Sequence, residues 1–172
     1  MVSQISKRDE IEFIKSIECE EIDVFETLLQ KYTPYTISHV FLYYYEPNFY
    51  SSLMDICVKN NRPIFVKRLL EYGYNYSISY YLFNPILTYA LSREYIEIVK
   101  LLIPHTDFTE TCDYAQQALL GLYYYNSSEE CKTCCKEILR KCNDSDITQA
   151  ISYLKDDFYT IKKEIKKKMW KK

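Results

Sequence analysis

The residues best suited to chemistry in this chain are four cysteines close in sequence, Cys131, Cys134, Cys135 and Cys142. On a helix advancing 100° per residue they project at about 0°, 300°, 40° and 20°, so one helix would hold all four on one face. Such thiols could bind zinc, which needs four ligands converging at metal–sulfur distances of about 2.3 Å. A single helix cannot supply them, because Cys142 lies roughly 10 Å along the axis beyond Cys135. Cys131, Cys134 and Cys135 could converge only with a fourth ligand from elsewhere. The plainer expectation is small apolar side chains packing a helix–helix seam beside Ile138 and Leu139. No metal and no cofactor is therefore expected.

Other catalytic groupings are sparse. The two histidines, His39 and His105, belong to no His-Glu-x-x-His motif, and there is neither a Gly-x-Ser-x-Gly elbow nor a phosphate-loop pattern. His105 follows Pro104 at the end of an apolar helical stretch, where an imidazolium would suit a helix C-terminus. Carboxylates fall at helix starts or on solvated faces. The expectation is a protein that is not an enzyme.

Composition narrows the elements that could position these groups. With 48% hydrophobic residues in 172, the chain can bury a real core. Two Gly disfavour phosphate-cradling loops and hairpin-rich β folds, which need residues at positive φ. No apolar run approaches the ~18–20 residues of a membrane span. The start, MVSQISKRDEIEF, has no secretory apolar region, and seven Cys without one suggest reduced thiols in the cytoplasm. Residues 162–172 hold seven Lys against one Glu; with a net charge of −2, the rest stands at −8. An acidic body with a basic C-terminal cap is the expected charge pattern.

The elements themselves repeat. Residues 52–73 superpose without a gap on 85–106 at an offset of 33. Phe65-Val66-Lys67 falls on Ile98-Val99-Lys100, and Leu69-Leu70 on Leu102-Ile103. Each unit reads as a short apolar helix, a polar break (59–62 or 92–95) and a second amphipathic helix. Upstream, Val24, Phe25, Leu28 and Leu29 match the second helix at an offset of 41, with Ile11, Phe13, Ile14 and Ile17 as the first helix. Downstream, 114–125 pairs with 131–142, for which Ser128 followed by Glu129-Glu130 is a helix start. Residues 146–154 and 156–168 form a last, strongly charged pair. The fold expected is an all-α helical solenoid over 1–172, with units at about 8–32, 52–84, 85–117, 114–142 and 146–168.

The 33-residue period, with Ser52-Leu53-Met54-Asp55-Ile56-Cys57-Val58 as the first helix of one unit and Ile98-Val99-Lys100-Leu101-Leu102 as the second helix of the next, resembles a divergent ankyrin repeat, of the kind found in small viral ankyrin proteins. The good match covers about 60 residues (52–117). The chain departs from the family where Asn61 and Glu94 stand at the glycine of the helix–helix turn, and Tyr50 and Phe83 at the hairpin glycine. Asn61 suits a left-handed backbone better than Glu94 does. Shortened or missing β-hairpins are expected.

The resemblance implies a protein–protein interaction module. In ankyrin arrays the first helices line the concave face, and here they bring many of the 19 tyrosines, notably Tyr43-Tyr44-Tyr45, Tyr80-Tyr81 and Tyr123-Tyr124-Tyr125. Tyrosine offers large, rigid contact area with a polar tip. Carried over residue by residue, the family's contact surface gives Asn48, Phe49, Ser51, Lys59 and Asn60 in one unit. Tyr81, Leu82, Asn84, Ser92 and Arg93 follow in the next, and Tyr114, Tyr125 and Asn126 extend the line. The implied partner is a protein met by a monomer or weak dimer, and for a viral member the implied role is modulation of host innate immunity or signalling. An alternative reading uses the lysines of 162–172 with Trp170 as a nucleic-acid or anionic-membrane adaptor or a nuclear-import signal. The acidic body opposes a long nucleic acid.

Overall fold

The computed structural model describes residues 5–38, 41–43, 50–75, 80–81, 84–109, 111, 113–123 and 127–153. The expected last helix at 156–168 and the basic segment 162–172 lie outside them. Among the described residues the chain is mostly helical, in line with the patterning.

Ser6 accepts the Asp9 N–H at 3.1 Å and starts α1 (Lys7–Glu18), which buries Phe13, Ser16 and Ile17. After a turn, α2 (Ile22–Leu29) buries Phe25, Leu28 and Leu29. A short α3 (Pro34–Ser38) was not foreseen in the connection. Pro34 opens it with a preset φ, and the Thr33 hydroxyl accepts the Thr36 N–H at 3.2 Å. Then come β1 (Phe41–Tyr43), β2 (Tyr50–Ser52), α4 (Leu53–Lys59) and α5 (Pro63–Glu71). Next are β3 (Tyr80–Tyr81), β4 (Asn84–Pro85), α6 (Ile86–Ser92), α7 (Ile96–Leu102) and a 3-10 turn at Ile103–His105. The last described helices are α8 (Asp113–Tyr123), α9 (Glu129–Lys141) and α10 (Asp144–Tyr153). Ser128 caps α9 by accepting the Cys131 N–H at 3.2 Å, at the expected start.

Both hairpins are antiparallel and short. β1 meets β2 from Phe41↔Ser52 to Tyr43↔Tyr50, and β3 meets β4 at Tyr80↔Pro85 and Tyr81↔Asn84. Tyr50 therefore sits in a strand, and the hairpins are reduced rather than lost.

The described residues group into two compact units. One takes in the residues up to Ala90 together with Glu97–Thr106; the other takes in Leu91–Ile96 and the residues from Asp107 onward. In the first, α1 packs on α2 and α4 on α5, while α1 also packs on α4 and α2 on α5. Phe25 joins the helix pairs: its ring meets Phe13 edge-on at 5.5 Å and Phe65 edge-on at 5.0 Å. Such pairs contribute about 0.5–1.5 kcal/mol beyond their area burial. In the second unit α8 packs on both α9 and α10.

The turns between paired helices share one backbone device. Glu20, Asn61 and Glu94 have φ of 61°, 51° and 55°. These left-handed residues are spaced by 41 and 33, the offsets read from the side chains. The closing bonds repeat as well: the Glu21 N–H donates to Ser16 O at 2.8 Å and the Arg62 N–H to Cys57 O at 2.9 Å. This is a helix-ending αL turn with asparagine or glutamate where glycine is usual.

Arg62 extends from its turn to the end of α1. Its Nε donates to Ile17 O at 3.1 Å, its Nη2 donates to Glu18 O at 3.0 Å, and its Nη1 pairs with the Glu20 carboxylate. One planar guanidinium thus satisfies two orphan carbonyls of a helix terminus and ties one helix pair to the next.

Candidate functional site

In α4 the first turn is built around a buried carboxyl. Asp55 Oδ2 accepts the Ser52 N–H at 2.8 Å and the Ser52 hydroxyl at 2.7 Å, and the Asp55 N–H donates back to Ser52 Oγ at 3.1 Å. This reciprocal capping box fixes the step from β2 into α4. Asp55 is 3% exposed, and its Oδ1 has no hydrogen-bond partner. Burial raises its pKa, against the opposing effect of the two bonds from Ser52.

The residues assigned to a contact surface fall in three groups. Lys59 and Asn60 end α4 half-buried, with the Asn60 amide donating to Ile56 O at 2.9 Å. Ser92 and Arg93 end α6 and are exposed. They stand 33 residues after Lys59 and Asn60, each pair just before a left-handed residue. Tyr81 and Asn84 are brought opposite one another across the β3–β4 hairpin.

Ser51 and Tyr114 are placed differently. Ser51 is buried in β2, and Tyr114 is 3% exposed in the first turn of α8, where its ring meets Phe108 at 5.3 Å. Packing turns both side chains inward, away from any surface a partner would touch. Asn48, Phe49, Leu82, Tyr125 and Asn126 lie outside the described residues. Among the tyrosine rings described, Tyr74 and Tyr114 are core, Tyr32, Tyr72, Tyr89, Tyr95 and Tyr123 are half-buried, and Tyr35 and Tyr153 are exposed.

Two isoleucines are exposed among the described residues, and Ile11, expected on the apolar face of the first helix, is one of them. Ile64 on α5 is 62% exposed. The offsets of 41 and 33 set it in register with the exposed Asp23 and Glu97. An isoleucine in a solvent-facing column was a legible signal.

The cysteines of α9 lie on its buried face. Cys131, Cys134 and Cys135 are all buried, and a Cβ placed on Gly121 of α8 would lie 2.6 Å from Cys135 Sγ and 4.0 Å from Cys131 Sγ. Gly121 is therefore demanded by close approach to α9. Burial pushes the Cys131 and Cys135 thiols up, and burial with the Asp146 charge pushes Cys142 up to about 12. A thiol so held is neutral at physiological pH and a poor nucleophile. Among the described residues no group of three or more His, Cys, Asp or Glu is placed to hold a metal ion. None of their helices is long and apolar enough to cross a membrane.

Comparison of the chain with family models, with curated proteins and with solved structures returns no match.

Proposed function

We propose that the chain is a non-catalytic, ankyrin-like module that binds a partner protein through its hairpins and the ends of its first helices. The supporting observation is the repeated turn. Left-handed residues recur at 41 and 33 residues, and in the first unit helix pairs stack first on first and second on second. Stacked pairs of this kind bury their own cores and present an extended surface suited to recognition. Tyr81 and Asn84, paired in register across β3–β4, form the centre of the proposed contact in that unit. Modulation of a host signalling pathway is the role the resemblance implies for such a module. The test is affinity capture with the wild type and with Tyr81→Ala/Asn84→Ala. A partner lost by the variant, with helical circular dichroism retained, supports the proposal. An unchanged partner list rejects this face.

A further inference from the structure

Among the described residues Asp55 is the one buried carboxyl, and no cation pairs with it. Its neighbours along α4, Leu53, Met54, Ile56, Cys57 and Val58, are fully buried. The buried residues of the packed elements are also uncharged: Phe13, Ser16 and Ile17 on α1, Phe65, Val66 and Leu69 on α5, and Ser51 and Ser52 on β2. The one titratable group among them is Cys57, whose thiol is held neutral by burial and by the Asp55 charge. Ser52 satisfies Oδ2 only, and Oδ1 faces no donor.

The repeat supplies an internal comparison. Thirty-three residues on, the same position is Thr88, also buried but unable to ionise. The fold thus accepts a neutral polar group in this place, whereas a carboxylate there must leave water without a cation.

We propose that Asp55 is a proton-linked latch at the start of α4: the fold is tightest with this carboxyl protonated and loosens as the proton leaves. The sign follows from linkage. Burial raises the folded-state pKa above the ordinary 3.8, so the folded chain binds the proton more tightly than the unfolded chain does. The extra stability is fully present below the unfolded value and is lost as pH climbs through the folded one.

The experiment uses the full chain, with the Asp55 Cγ resonance followed by NMR against pH. In parallel, urea unfolding of wild type, Asp55→Asn and Asp55→Thr runs from about pH 3.5 to 7.5. The carboxyl is expected to titrate above 3.8. The folding constant of wild type relative to Asp55→Asn is expected to fall by up to about tenfold per pH unit above pH 4, then level off. Asp55→Thr, carrying the residue of the next repeat, should lose the same pH dependence. A Cγ midpoint at or below 3.8, or a ratio that is flat with pH, overturns the latch. If neither variant folds, the wild-type titration alone decides.

Discussion

Replacing Gly121 with alanine tests the seam between α8 and α9. The new methyl carbon would lie 2.6 Å from Cys135 Sγ, roughly 1 Å inside ordinary non-bonded contact. Overpacking of this kind costs about 1–3 kcal/mol. The better helix propensity of alanine returns about 1 kcal/mol, so the net loss should be at most about 2 kcal/mol. Cys135→Ala alone removes one buried sulfur and should cost about 1 kcal/mol. In the double variant the alanine methyl at 121 occupies the space the sulfur vacates, so stability should return to within about 0.5 kcal/mol of wild type. Thermal unfolding followed by circular dichroism reads each step, at about 2–4 °C per kcal/mol for a chain of this size. Additive losses in the double variant would refute the close approach, because they would mean the two side chains do not share one space.

Arg62→Ala removes both guanidinium bonds to the end of α1 and the pair with Glu20, and should cost about 1–3 kcal/mol by urea unfolding. Arg62→Lys should recover less than half, since one ammonium cannot reproduce the planar fork. Asn61→Gly and Glu94→Gly relieve positive φ and should both raise the melting temperature. The gain should be larger at Glu94, about 1 kcal/mol against a few tenths at Asn61; equal gains would mean that strain at the turn is not what distinguishes them.

The helix pairs were legible because their signal is local. Apolar spacing at Phe25, Leu28 and Leu29 and again at Phe65, Val66 and Leu69 names the buried faces and the offset together. Ser128 marks a helix start by chemistry that needs no tertiary context. What escaped depends on contacts distant in sequence. Arg62 looked like an ordinary polar break residue, and its role appears only when the end of α1 is placed 45 residues upstream of it. Glu20 adopts a left-handed backbone that composition disfavours, because Arg62 and the closing bond to Ser16 hold that turn. Tyr114 has the residue type of a contact surface, and only the position of Phe108 turns it into core. Ser51 was assigned by family register, whereas pairing of β2 against β1 decides that its side chain is buried.

The unequal spacing of the three turns has a consequence for how this chain tolerates change in length. The first interval is eight residues longer than the second (41 against 33), yet α1 still packs on α4 and α2 on α5. The surplus is taken up between α2 and α4, where α3 and the stretch separating β1 from β2 lie. Extra length can thus be absorbed between helix pairs, whereas a single residue added inside α4 or α5 would rotate its apolar face out of the stack.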